Sequence, residues 1–280
     1  MEHLPSYFEA FWIFIFGLII GSFLNVVIHR VPRRESIVLP DSHCPECNTR
    51  IRPYDNIPVL SYLILGGRCR SCGVRISPIY PAVELLVAVL YLLVFFKDGL
   101  SVRLIADLIF VSLIVPLVFI DLRHKLLPNV ITYPGFVVVL ILRVIAPDPL
   151  IINTTRSLFR LETWPIWWVA LLGSLLGAVA GGGTLWLIRE LYYRFRHIEG
   201  MGLGDVKMML MVGAFLGWQM ALVTIFIASL AGSLIGILAI WLRGGTLRME
   251  LQFGVFLGPA SIIALFTGEE LIRRYASLYG

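Results

Sequence analysis

Gly202-Leu203-Gly204-Asp205-Val206-Lys207 runs straight into the apolar stretch Met208–Leu242, and the reading of these two pieces together decides the fold. The stretch holds 35 residues. As one helix it would measure about 52 Å, well beyond a bilayer core of about 30 Å. It must therefore turn, and Gly217-Trp218-Gln219 is the natural break. The helix before the break is then short, so it must begin ahead of Asp205, which places that carboxylate a turn or two beneath a membrane surface. An acid in such a place is costly and calls for an explanation. Taken alone, the stretch also reads as a glycine turn with an aspartate capping the next helix.

Composition supports the membrane reading. Of 280 residues, 58% are hydrophobic and 15% charged, and mean hydropathy is +0.86. Soluble domains carry nearer a quarter charged residues, so an all-α polytopic membrane protein is expected, in contact with membrane lipids and with no nucleic-acid partner. The net charge of +5 matters less for its size than for its placement. Met1–Glu9 carries acids and no Lys or Arg, and no small-residue cleavage site follows, so no removable signal peptide is expected.

About eight transmembrane helices are expected. Their centres are Ala10–Leu24, Pro81–Phe96, Ser101–Ile120, Leu126–Ile145, Trp164–Ile188, the segment through Asp205 to Leu216, Met220–Leu242 and Phe253–Thr267. Ala146–Thr163 reads as an outer loop, and the tail from Glu269 as outer. Most Lys and Arg fall after the first helix, in Asp121–Lys125, in Arg189–His197 and in Arg243–Arg248, so these segments face the cytoplasm. Gly173, Gly177 and Gly181, spaced four apart, form a small-residue face for close helix contact. Gly21 and Ser22 have the same plain reading, and Asn25 reads as interfacial.

The chain divides into a first helix at 1–30, a cytoplasmic insert at 31–79 and a seven-helix body at 80–280. The insert holds Cys44-Pro-Glu-Cys47 and Cys69-Arg-Ser-Cys72. Disulfides are the plain alternative, but a reducing cytoplasm argues against them. Two C-x-x-C knuckles suit one tetrahedral zinc with Cys44, Cys47, Cys69 and Cys72 as ligands. Four sulfur ligands leave no open position, so the zinc is expected to be structural, with His43 a bystander.

The topology puts Asp121, at the inner end of the third helix, on the same face as Asp205. Two carboxylates sharing a site do not both ionise cheaply, which suits one to act as general base on water and the other to donate to a scissile carbonyl. Gly202 and Gly204 would let a substrate backbone approach. Lys207 either pairs with Asp205 or reaches the headgroups. Glu84 reads equally as an interfacial acid reaching water or as a functional one. Asp107 lies nearer the outer side.

Several stretches together resemble the type IV prepilin peptidases, the membrane leader peptidases of pilus and type II secretion systems. They are Gly21-Ser-Phe-Leu-Asn-Val-Val-Ile-His-Arg30, both cysteine knuckles, Tyr54-Asp-Asn-Ile-Pro-Val-Leu-Ser61, Tyr80-Pro81 with Glu84, and Asp121 with Leu126-Leu-Pro128. Gly200-Met-Gly-Leu-Gly-Asp205-Val-Lys207 and Phe253-Gly-Val-Phe-Leu-Gly-Pro259 complete the set. The likeness covers almost the whole chain. It departs at Asn129, where many members carry Asp. The resemblance implies catalytic roles for Asp121 and Asp205, supported by Gly202, Gly204 and Lys207. It implies cleavage of a short basic leader from prepilins and pseudopilins at the cytoplasmic face of the bacterial inner membrane. Members with the cysteine insert commonly also methylate the new N-terminus with S-adenosylmethionine, and no residue here is singled out for that cofactor.

Two rivals come from other classes. An ion-coupled transporter would also use intramembrane acids, but it predicts them at the midplane, with an internal repeat. A zinc-dependent binding scaffold would leave Asp121 and Asp205 unexplained.

Overall fold

The computed structural model describes residues 7–197, 201–243 and 252–279. The described residues are helical, with isolated bridges in place of strands. Two compact units divide at Pro116–Leu117, inside one helix that carries a proline there.

In the first unit, α1 (Tyr7–Arg30) packs along α3 (Ile79–Asp98), and the short α2 (Leu60–Ile64) belongs to the insert between them. The close fit of α1 on α3 comes from Gly17 and Gly21. A Cβ at Gly17 would lie 2.6 Å from the Ala88 Cα, and one at Gly21 would lie 2.7 Å from the Glu84 Cα. The plain packing reading of Gly21 is therefore the correct one. Asn25 is buried rather than interfacial, and its Nδ2 donates to the Tyr80 carbonyl at 2.9 Å, in the first turn of α3. Arg30 ties down the start of the insert by donating to the Ser36 and Pro40 carbonyls.

The helix α4 (Val102–His124) begins in this unit. Its Asp107 is held by Lys97 at 2.6 Å, and Lys97 also lies 3.4 Å from Asp98. An ion pair thus accounts for this buried acid.

The second unit is built around α9 (Leu203–Leu216). Its residues Met208, Met209, Met211, Val212 and Phe215 are all fully buried. A helix apolar on every side must be surrounded, and α9 touches α5 (Asn129–Ile145), α7 (Ile166–Ala178), α8 (Thr184–Arg196), α10 (Trp218–Arg243) and α11 (Gly254–Tyr279). The break at Gly217 stands where the sequence put it, with φ +83° closing α9 and α10 beginning one residue later. The glycine face on α7 also stands. Gly177 meets Gly213 backbone to backbone, and a Cβ at Gly181 would lie 2.7 Å from the Met209 carbonyl oxygen.

Helix lengths refine the expected count of eight. Among the described residues, five helices are long and apolar enough to cross a membrane, or six if a bent pair is one broken span. That pair is α5 and α6 (Pro149–Phe159), meeting at 83°. α6 lies within the stretch expected to be a loop. Its start signal is plain in hindsight: Asp148 caps the Leu150 and Ile151 amides and Pro149 takes the first helical position. α9 has 14 residues, about 21 Å, too short to cross alone. The span expected at Trp164–Ile188 continues to Arg196, with a π-helical turn at Val179–Gly183 joining α7 to α8. The last helix runs on to Tyr279 instead of ending at Thr267. The expected inner loop beyond Arg243, including Arg248, lies outside the described residues, as do Gly200 and the first six residues.

Candidate active site

The segment at 202–207 enters α9 through Gly202, whose backbone is extended (φ −71°, ψ 145°) and which occupies the cap position with no side-chain cap bond. Asp205 stands two residues inside the helix and does not cap it, so the bland reading of this acid fails. It is 9% exposed. Asp121 lies in the last turn of α4 and is 6% exposed. The two carboxylates are near enough to act on each other electrostatically. Among the described residues, Asp121 Oδ2 is buried and has no hydrogen-bond partner.

The start of α11 completes the pair. The Gly254 N–H lies at Asp205 and the Val255 N–H at Asp121. A Cβ on Gly254 would sit 2.7 Å from Asp121 Oδ2 and 3.2 Å from Leu127 Cδ1. Leu127 also fills the space at Gly204, where a Cβ would be 2.9 Å from its own Cβ. Gly204 thus lets Leu127 pack in, while among the described residues a Cβ at Gly202 would meet only Asp205 Oδ2 and the Gly204 N, each at 3.8 Å. Lys207 turns away from Asp205. It donates to Asn129 Oδ1 at 2.9 Å and lies 5.1 Å over the Tyr133 ring. Gly254, Val255 and Leu127 were not singled out from sequence. Gly254 appeared only inside a longer matching stretch, and nothing local marks it as the partner of an acid so far back in the chain.

Glu84, in the first unit, is 8% exposed. It accepts the Val59 N–H at 2.8 Å. Val59 has φ +60° and ψ −48°, and the Leu60 N–H closes a three-residue turn onto the Pro58 carbonyl. This is a γ-turn with positive φ, a rare and strained form for a β-branched residue.

The four cysteines converge. Their Sγ atoms all lie within 4.8 Å of one another, with Cys44 and Cys72 3.9 Å apart. Tetrahedral zinc with bonds of about 2.3 Å needs sulfurs about 3.8 Å apart, so the donor set fits. Each knuckle is a tight turn of the same design. Asn48 N–H bonds to the Cys44 carbonyl and Gly73 N–H to the Cys69 carbonyl, with both turn residues at positive φ. Thr49 holds the Cys47 thiol down to about 6, favouring the thiolate that a metal requires. None of the four is in a disulfide. His43 bonds to the Asp41 carbonyl and stays out of the set. Asp55 grips Arg70 through both oxygens, at 2.6 and 2.9 Å, and joins the Pro53–Asn56 turn to the second knuckle.

Comparison with known proteins identifies the family. Residues 15–97 match the bacterial Peptidase A24 N-terminal domain, and residues 108–237 match the type IV leader peptidase family. The prepilin leader peptidase/N-methyltransferase of Pseudomonas aeruginosa is 35% identical over 100% of this chain and 98% of its own. Those of Myxococcus xanthus and Aeromonas salmonicida are 38% and 36% identical, over 86% and 95% of this chain and 67% and 93% of theirs. No solved structure matches. With a relative 35% identical along nearly the full length of both chains, the protein belongs to the type IV leader peptidase family.

Proposed function

We propose that this chain is a membrane aspartyl protease that removes a short basic leader from type IV prepilins and pseudopilins, with Asp121 and Asp205 as its catalytic pair. The observation that carries this reading is the meeting of two buried carboxylates at opposite helix ends, with Gly254 wedged beside both. Two acids held together share a proton. The charged one takes a proton from water, whose oxygen attacks the scissile carbonyl carbon. The neutral one donates to the carbonyl oxygen as charge develops there. Collapse breaks the C–N bond, and the leaving amine takes up a proton from the pair. Asp205 and Asp121 face the cytoplasmic side of the bacterial inner membrane in this reading, as the distribution of Lys and Arg supports.

The relatives' names extend the reading to N-methylation of the newly exposed N-terminus. S-adenosylmethionine would supply an electrophilic methyl carbon on its sulfonium: the N–C bond would form as the C–S bond breaks, the neutral thioether would leave, and the amine would give up a proton. Zinc at Cys44, Cys47, Cys69 and Cys72 is structural, because four thiolates leave no position for water. A transporter is not favoured, since the acids lie at helix ends.

The test is cleavage of a type IV prepilin by membranes containing the protein, repeated with Asp121→Asn and Asp205→Asn. Each substitution keeps the side-chain shape and removes the acid, and each should abolish detectable cleavage. Full cleavage by either variant ends the dyad reading. Mass measurement of the product with S-adenosylmethionine added checks methylation.

A further inference from the structure

Arg143, near the end of α5, is 2% exposed inside a unit made of apolar helices. A buried cation in a membrane protein is expensive and marks a role. Its Nε donates to the Phe215 carbonyl at 2.7 Å, and its guanidinium carbon lies over the Phe215 ring, 3.7 Å from its centre. Nη1 lies 4.0 Å from Asp148 Oδ2, the same aspartate that caps α6.

The Phe215 carbonyl belongs to the last turn of α9, where carbonyls lack partners within the helix and the dipole favours a cation. The corner between α5 and α6 closes on this end from a second direction, since a Cβ at Gly217 would lie 2.9 Å from Ile151 Cγ1. One end of α9 is therefore clamped, and the other end carries Asp205. Ten residues separate Phe215 from Asp205 along the helix, about 15 Å. Against α7, Gly177 and Gly213 meet backbone to backbone. Such a contact gives close approach without interlocking side chains at that point.

We propose that Arg143 is a positioning residue for Asp205. It anchors the far end of α9 to the corner of α5 and α6, and so fixes the depth at which the Asp205 carboxylate meets Asp121. The proposal rests on the dyad reading above. A misplacement of about 1 Å at a reacting group costs about a hundredfold in rate.

The experiment measures prepilin cleavage by the full chain, purified into lipid nanodiscs, for the wild type, Arg143→Met, Arg143→Lys and Asp121→Asn, with the folded fraction taken from thermal melts. Arg143→Met fills the volume without charge or donor. It should lower kcat per folded molecule about tenfold or more while KM stays within about twofold, the mark of a lost transition-state geometry. Arg143→Lys keeps the charge and a donor, though not the planar stack, and should recover kcat to within about threefold of wild type. An Arg143→Met kcat close to wild type overturns the proposal. So does a loss that only follows the folded fraction, or one that Lys fails to rescue. The two readings separate cleanly: an active Asp121→Asn removes the dyad, whereas an inactive Asp121→Asn beside a fully active Arg143→Met removes only the role of Arg143.

Discussion

Gly254 stands against Asp121 so closely that a methyl group in place of its α-hydrogen would lie 2.7 Å from Oδ2. The same residue presents its N–H to Asp205. One glycine at the start of α11 is thus packed against both acids, and Leu127 closes the third side at 3.2 Å. The carboxylates are brought together by three helix ends, and a side chain at position 254 would press on the Asp121 carboxylate.

Gly254→Ala should therefore separate stability from activity. In a helix, replacing glycine by alanine ordinarily stabilises by about 0.5–1 kcal/mol. Here the added carbon must displace a buried carboxylate, an overpacking cost of about 1–3 kcal/mol. The second effect is the larger, so the melting temperature should fall slightly. Prepilin cleavage should fall by about a hundredfold, the scale set by a misplacement of about 1 Å at a reacting group. A Gly254→Ala variant with wild-type cleavage would show that the contact is incidental.

What could be read from sequence was local. The two C-x-x-C knuckles announce themselves by spacing, and Gly217 by the excess length of the run around it. Asp205 stands out because an acid beside such a run needs a reason. The missing parts depend on partners far along the chain. Arg143 looks like an ordinary interfacial arginine until Phe215 is placed beside it, 72 residues on. Gly254 looks like one more small residue in a membrane helix. Glu84 was left between two readings because its partner, the Val59 amide, sits in a turn whose backbone no propensity would predict. Helix α6 was lost for a different reason: its polar Asn153, Thr154, Thr155 and Arg156 hid an amphipathic helix behind the look of a loop.

The turn at Val59 and its bond to Glu84 should balance each other. A backbone in such a sparsely populated region costs about 1–3 kcal/mol. A hydrogen bond to a carboxyl group returns about 1–3 kcal/mol, the upper end if charged. Glu84→Ala removes the bond and leaves the strain, so the turn should open. Amide hydrogen exchange across Pro58–Ser61 should speed up at least tenfold, and Val59→Gly in the same background should recover part of the protection, because glycine tolerates positive φ. Unchanged exchange in Glu84→Ala would mean that the turn is held by something else.

Metal removal should act on the insert alone. Between Val31 and Pro78, Cys44 is the one buried side chain, so this segment has no apolar core with which to hold its shape. Domains of this kind draw their folding free energy from the metal, about 10–16 kcal/mol in small zinc peptides. The purified protein should contain one zinc per chain by elemental analysis. A strong zinc chelator, or Cys47→Ser with Cys69→Ser, should open the segment to trypsin at Arg50, Arg68, Arg70 and Arg75, all of which are exposed. The helices of the second unit should stay intact under the same treatment, since their contacts are apolar and independent of the thiols. A metal-free protein whose insert resists trypsin as well as the untreated one would show that the four sulfurs converge without an ion.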